Sequence, residues 1–130
     1  MIAFRSQLRY RELPGRASAN PFEDADLDGY SVRAVVLHGD KRRSPHRHPR
    51  SQEVIYVASG RGKLWHEGVL RRFQQGDCAL IPRGARHATI PDPGTSMELV
   101  CFWPHAELER NIEEFDDMII VDDEEEGNEQ

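Results

Sequence analysis

The sequence predicts an all-β fold, an antiparallel sandwich or barrel followed by one short C-terminal helix. Between residues 31 and 104, short apolar segments recur about every ten residues and are separated by glycine or proline. This spacing is typical of antiparallel sandwiches and barrels, in which strands are short and turns are frequent. After Pro104 the apolar spacing changes from the period of a strand to that of a helix.

The first 30 residues contain turn-forming pairs and an acidic cluster, and they predict an arm with one short strand near residues 8–13. The valine-rich residues 31–38 are the first clear strand. Residues 46–48 and 53–59 follow as two strands or one bent strand. Five further strands, separated by turn signals, are predicted at residues 63–68, 69–73, 78–81, 87–90 and 97–103.

Side-chain alternation predicts which residues of a strand share a face. Glu53, Ile55 and Val57 should share one face, which leaves Tyr56 on the other, in the outer sheet or an interface. On the last long strand two alternating sets can line the interior. These are Leu99, Cys101 and Trp103, or Glu98, Val100 and Phe102.

The C-terminal region combines a helical pattern, an apolar segment and an acidic tail. Leu108, Ile112 and Phe115 stand at i, i+4 and i+7 among glutamates, which predicts a helix of about three turns against the outside of the sheet. Residues 118–121 are a short strand candidate for an edge of the barrel or of a second subunit. The predicted organisation is an arm (1–30), a barrel (31–104), a helix and short strand (105–121) and a disordered tail (122–130).

Charge and length limit the classes of function. The formal net charge is −6, but six of the 23 acidic residues lie in the tail, so residues 1–121 carry 17 acids against 17 bases. A neutral body argues against a nucleic-acid partner. No apolar stretch approaches the roughly twenty residues of a membrane span. With 130 residues the chain can bury a core without a structural metal, so any metal is expected to be functional.

Cys78 and Cys101 lie in apolar, strand-like segments and are interpreted as two buried, reduced thiols rather than a disulfide or a reactive pair. The first ten residues contain arginines and do not resemble an apolar leader. These features predict a cytoplasmic protein.

The histidine pattern points to a metal. His46 and His48 are two residues apart, so on a strand both imidazoles project to the same side, and Glu53 follows five residues later. Imidazole nitrogens suit transition metals, and a hard carboxylate shifts the preference toward an octahedral ion with exchangeable positions. Alone, a His-x-His pair is more often two solvated histidines. A fourth ligand elsewhere in the chain would favour a metal site over two solvated histidines.

A second motif supplies such a residue, since His87 follows a Pro82-Arg83-Gly84 turn that begins after Gly76. The combined pattern resembles the two motifs of the cupin superfamily. The first runs from Gly39 through His46-x-His48 and Glu53 to Gly60, and the second runs from Gly76 through Pro82-x-Gly84 to His87. One extra residue before His46 and a proline at position 91 depart from the family pattern, and neither is at a ligand position.

The resemblance to small single-domain cupins implies a jelly-roll barrel, the double-stranded β-helix, that holds a divalent metal through His46, His48, Glu53 and His87. Iron or manganese is favoured, and nickel, zinc or copper can occupy the same donors. Four protein ligands leave two positions on an octahedral ion, enough for a bidentate substrate or for substrate with dioxygen or water.

Two kinds of function fit this resemblance. The first is a metal-dependent enzyme that activates an oxygen-bearing small molecule, either as a dioxygenase or as an isomerase, cyclase or lyase in which Glu53 can move a proton. The second is a non-catalytic cupin that binds a small molecule or sugar. Fold does not decide between them.

Other residues receive weaker assignments. Arg83 and Arg86 are placed near the site mouth, where they can grip a carboxylate or phosphate of the substrate. His38, His66 and His105 lie outside the motifs and are interpreted as surface or rim residues. A homodimer is expected from the resemblance, with the arm and residues 118–121 as segments that can cross to a partner.

Overall fold

A computed structural model describes residues 1–41, 43–118 and 120 of the chain. Its strands, in chain order, are β1 (Arg11–Leu13), β2 (Arg16–Ala19), β3 (Ser31–His38), β4 (His46–Arg47), β5 (Glu53–Ser59), β6 (Arg61–His66), β7 (Val69–Gln74), β8 (Cys78–Ile81), β9 (His87–Pro91), β10 (Ser96–Trp103) and β11 (Glu113–Glu114). Single 3₁₀ turns occur at Arg5–Gln7 and Leu108–Arg110. The predicted all-β jelly-roll architecture is confirmed.

The strands form two antiparallel sheets. One has the order β1-β2-β3-β10-β5-β8 and the other the order β11-β4-β9-β6-β7. Neighbours in each sheet are often distant in sequence, as when β10 lies between β3 and β5. The apolar core consists of Leu37, Ile55, Val57, Phe73, Ile81, Met97, Leu99, Cys101 and Trp103.

Alternation along β5 and β10 determines what faces this core. Glu53, Ile55 and Val57 are buried while Tyr56 is exposed, as predicted. On β10 the buried set contains Leu99, Cys101 and Trp103. Each large apolar side chain removed from water contributes about 1.5–3 kcal/mol. A slip of one residue would exchange the two faces and move Glu53 to the surface, so core burial also secures the register that positions the site.

The N-terminal region has more structure than predicted. The single strand expected near residues 8–13 is instead a hairpin of β1 and β2, and β2 pairs with β3. Ala17 and Ala19 are buried against the sheet. Alanine is small enough to give little apolar signal in a sequence, which explains why β2 was not predicted.

The prediction of a three-turn C-terminal helix is wrong for the described residues. Leu108–Arg110 is a single 3₁₀ turn, and β11 then pairs with β4. Leu108 packs against the core and Ile112 lines the central cavity. The apolar residues do occur at helical spacing, but they are buried by tertiary contacts and not along one face of a helix. No described helix is long and apolar enough to cross a membrane.

Two further predictions concern the ends of the chain and the cysteines. The strand expected at residues 118–121 lies partly outside the described residues, and Met118 and Ile120 have irregular backbone. The tail, residues 122–130, lies wholly outside them.

Both cysteines are free, but only Cys101 is buried. The prediction of a buried Cys78 is therefore wrong, because that residue faces outward at the edge of the first sheet.

The outer face of the first sheet carries exposed apolar side chains. Tyr56, Leu80, Val100 and Phe102 belong to this group, and strand pairing places Tyr56 opposite Val100. The Tyr30 ring packs against Phe102 with 5.5 Å between ring centroids. The homodimer remains a prediction.

Candidate metal centre

The starts of three strands bring the predicted ligands together. His46 begins β4, Glu53 begins β5 and His87 begins β9. His46 and His87 are direct register partners, whereas Glu53 comes from the opposite sheet. The backbone amide of Gly84 donates a hydrogen bond to the His48 carbonyl at 2.9 Å, so the turn before His87 is tied to the segment that carries the other two histidines.

His46, His48, Glu53 and His87 form one buried cluster. One ligand atom from each residue lies within 4.8 Å of the others. All four residues are buried, and His87 is only 1% exposed. A site with three imidazoles and one carboxylate has the donors that bind divalent transition metals. These residues could therefore hold a divalent transition metal.

The hydrogen bonds of two histidines test whether a cation fits. Nδ1 of His48 lies 2.7 Å from the Asn111 carbonyl oxygen, and Nδ1 of His87 lies 3.0 Å from that of Ala85. A carbonyl only accepts, so both Nδ1 atoms carry the proton, and each neutral ring has its lone pair on Nε2.

Both Nε2 atoms then converge on one anionic oxygen. Oε1 of Glu53 is 2.8 Å from His87 Nε2 and 3.0 Å from His48 Nε2, although the His48 contact does not have hydrogen-bond geometry. Two lone pairs facing a carboxylate oxygen repel each other unless positive charge lies among them. A proton on each Nε2 supplies that charge when no metal is bound, and a single metal ion would take the place of those protons, so the arrangement fits a metal.

The same contacts control protonation of the carboxylate. Burial alone raises the pKa of Glu53, but when no metal is bound, N–H donors and positive charge on the His48 and His87 rings outweigh it and lower the pKa to about 2. Glu53 is therefore an anion at neutral pH. The nearby Cys101 thiol has its pKa raised well above its usual value by burial and by the Glu53 carboxylate, which keeps the thiol protonated.

His46 is in a different environment from the other two histidines. The Arg43 guanidinium lies against its ring, with Nη1 3.1 Å from Nε2. Burial is the main cause that lowers the pKa of His46 well below its usual value, and the charge of Arg43 adds to it. His46 therefore stays neutral, so one ring nitrogen has a lone pair, and the Arg43 guanidinium lies where it contacts both nitrogens.

Asn111 is a functional candidate that sequence reasoning missed. It is fully buried, its carbonyl accepts from His48, its Oδ1 accepts from the Arg50 amide at 2.7 Å, and its Nδ2 donates to Ser51 Oγ at 2.8 Å. Partners of this kind orient metal-binding imidazoles. The surrounding pattern predicted a helix, and nothing in it marked this residue.

The other predicted site residues lie elsewhere. Arg86 bonds to Glu67 with Nη2 3.0 Å from Oε1, and Arg83 is exposed. Neither lines the cavity in front of the cluster. His38 bonds to Ser96, and His105 and His66 are half-buried outside that cavity. The cavity wall instead contains Arg16, Arg33 and Arg43, which sequence reasoning did not single out.

We expect Asn111→Ala to weaken metal binding by about 10- to 100-fold, because the loop that carries the His48 acceptor loses its buried anchor. The free energy of unfolding should also fall by about 1–3 kcal/mol, since the Ser51 hydroxyl and the Arg50 amide lose a buried partner. Competition against a metal-chelating dye measures the affinity.

Asn20→Ala is the matched control, because Asn20 Oδ1 also accepts from a backbone amide, that of Phe22, but far from the cluster. Equal metal affinity in the two variants would contradict a positioning role for Asn111.

Without metal, stability should depend on pH through His46. The unfolded chain protonates this residue near pH 6.5, whereas the folded chain keeps it neutral to much lower pH. The unfolded state therefore binds more protons in that window, and the free energy of unfolding falls as pH drops below about 6.5, by up to about 1.4 kcal/mol per pH unit. Above that pH this contribution is constant.

Urea unfolding in chelator between pH 7.5 and pH 5 measures this dependence. The Glu53 carboxylate, with its pKa near 2, loses its own contribution only below the unfolded value of about 4.3, outside this range. His46→Gln should flatten the curve. An equally steep curve in that variant would contradict the assignment to His46.

Comparison with known proteins assigns the chain to a family. Residues 32–103 match the model of the family described as Cupin domain. Protein SchB of Streptomyces halstedii is 35% identical over 72 residues, which cover 55% of this chain and 51% of SchB. An uncharacterized protein of Aquifex aeolicus is 35% identical over 60 residues, 46% of this chain and 50% of that protein. The chain spans about half the length of the curated relatives it matches.

Solved structures share the fold. KdgF from Halomonas sp. aligns with a TM-score of 0.66 at 20% identity, covering 84% of this chain and 97% of KdgF. The polyketide cyclase RemF from Streptomyces resistomycificus gives 0.69 at 20% identity over 79% and 78% of the two chains. The nucleoside dehydratase Pac13 from Streptomyces gives 0.68 at 16% identity over 88% and 90%.

Proposed function

This chain belongs to the cupin family, and we propose that it is a metal-dependent enzyme that activates an oxygen-bearing small molecule. One observation carries the proposal. Two imidazole lone pairs and a buried carboxylate oxygen converge at the inner end of a cavity, an arrangement that calls for a cation where a small molecule can reach it.

His46, His48, Glu53 and His87 would hold the ion, with iron or manganese favoured and nickel, zinc or copper as alternatives. When bound, a divalent ion supplies Lewis acidity toward a substrate oxygen. The cavity offers about 60 Å³ to the centres of water-sized spheres, which is room for several water molecules or one small ligand.

The cavity walls support the chemistry in two ways. Val35, Leu37, Ile55 and Leu99 give it an apolar lining that limits water around the reacting groups. Among the residues that the structure describes, Glu53 is the only carboxylate in that lining. With its pKa lowered to about 2, Glu53 is a weak base, which favours a role as metal ligand over the proton transfer considered from the sequence.

We further propose a non-redox reaction, of the lyase, dehydratase or cyclase type. Structural neighbours named as a polyketide cyclase, a nucleoside dehydratase and a DMSP lyase support this class over the dioxygenase alternative. These neighbours are at most 20% identical to this chain, so they supply a reaction class for testing and no substrate.

Anaerobic purification followed by reconstitution with each divalent ion would test both proposals. Small carbonyl, phenolic and hydroxylated compounds are incubated with each form, product is followed by mass spectrometry and dioxygen by an electrode. We expect metal-dependent turnover with no oxygen consumption. Oxygen uptake would favour a dioxygenase. Ligand binding that survives both chelation and His48→Ala, with no turnover, would favour a non-catalytic binding protein.

A further inference from the structure

Three arginines with largely buried side chains give the cavity a positive charge. Arg16, Arg33 and Arg43 all line it, and their side chains are 13%, 15% and 10% exposed. They come from β2, β3 and the segment before β4, so three separate parts of the chain bring guanidinium groups to one space. Buried cations of this kind require nearby negative charge.

Within residues 1–41, 43–118 and 120, carboxylates supply that charge only in part. Glu114 lies 3.4 Å from Arg16 and 4.0 Å from Arg43, so one carboxylate serves two guanidinium groups. Arg33 lies 3.8 Å from Glu109, whose side chain is 81% exposed. These contacts are longer than charge-assisted hydrogen bonds, which are about 2.7–2.9 Å.

Arg43 has the least favourable environment of the three. Its guanidinium lies against the His46 ring, and the carboxylate oxygen of Glu114 paired with it is 4.0 Å away. A guanidinium keeps its charge in proteins. A divalent ion held by the four ligands would add positive charge next to this guanidinium, and an anion between them would offset the repulsion.

Another polar group of the cavity wall is also a donor. Trp103 lines the cavity and is 4% exposed, and its indole Nε1–H is buried with no hydrogen-bond partner among the described residues. The indole can donate but not accept. A ligand oxygen would satisfy a group that otherwise remains buried at a cost.

We propose that the substrate carries a carboxylate bound by Arg43 and Arg33, beside the oxygen atom that the metal activates. The inference rests on the proposed function and adds the chemical class of the substrate. Guanidinium groups bind carboxylates through paired N–H donors. Apolar walls favour a singly charged carboxylate over a more strongly hydrated phosphate dianion. The arginines predicted for this role, Arg83 and Arg86, lie outside the cavity wall.

Pyruvate and methyl pyruvate are suitable probes, because they share a carbonyl and differ in the charge of the carboxyl group. Binding to the metal-loaded protein is measured by calorimetry, and by Trp103 fluorescence in a Trp65→Phe background that leaves one tryptophan. We expect pyruvate to bind at least tenfold more tightly than its ester. Arg43→Gln and Arg33→Gln should each weaken pyruvate binding about 10- to 100-fold and leave the ester unaffected.

Arg47→Gln is the matched control, since Arg47 neighbours His46 but pairs with Glu113 outside the cavity. Equal binding of acid and ester, or tighter binding of inorganic phosphate than of pyruvate, would overturn the inference. Elemental analysis of the same samples separates it from the proposed function. Arginine-dependent pyruvate binding in protein that retains no metal would support the carboxylate site and refute the metal-dependent enzyme.

Discussion

His48→Ala should lower metal affinity more than about 100-fold. Loss of a hydrogen-bond partner of a metal ligand already lowers metal affinity about 10- to 100-fold, and His48 would bind the ion directly. Nε2 of His48 lies 3.0 Å from Glu53 Oε1, so the substitution removes one of the two lone pairs that converge on that oxygen. His46→Ala, His87→Ala and Glu53→Gln should each have a comparable effect. Metal content after reconstitution and dialysis measures the loss.

Histidines outside the cluster provide the control. His38→Ala removes an imidazole that bonds to Ser96 at the far end of β3, and His105→Ala removes one that accepts from the Glu107 amide. Both should retain full metal content. Because a ligand that binds only the folded state stabilises it, added metal should raise the melting temperature of the controls and not that of the ligand variants. Unchanged metal content in all four ligand variants would refute the site.

Gly62→Ala should destabilise the fold by about 3 kcal/mol or more. Gly62 is buried on β6 opposite Pro91 of β9, where the two backbones come very close. A Cβ built there collides with the Ile90 carbonyl oxygen and lies 2.7 Å from Pro91 Cα. The clashing atoms belong to the backbone of a paired strand. They cannot move away as the end of a flexible side chain could. The melting temperature should fall by on the order of 10 °C.

The same variant should also weaken metal binding, because β9 carries His87 and is held against β6 through this contact. Gly68→Ala is the comparison. Gly68 has a φ of +92° with nothing within 4 Å of a built Cβ, so it reports backbone strain alone, about 1–2 kcal/mol. If Gly62→Ala proves as stable as Gly68→Ala, the close approach of the two strands does not limit this position.

The sequence by itself determined the barrel and the four donors of the candidate centre. Strand alternation depends only on backbone geometry, so the inward position of Glu53, Ile55 and Val57 could be predicted without knowing their neighbours. The complete donor set came from the resemblance to the cupin motifs, because strand geometry alone places only His46 and His48 on one side and does not point to His87.

Only the tertiary structure decided what surrounds those donors. Asn111 reaches His48 across 63 residues of sequence, and the cavity arginines come from segments with no motif of their own. The C-terminal pattern of apolar residues satisfied helical spacing, yet Leu108 and Ile112 pack at the cavity, and β11 pairs with β4. Contacts between distant segments have no local period, so the partners that orient the site and the charge of the cavity become visible only when the sheets are assembled.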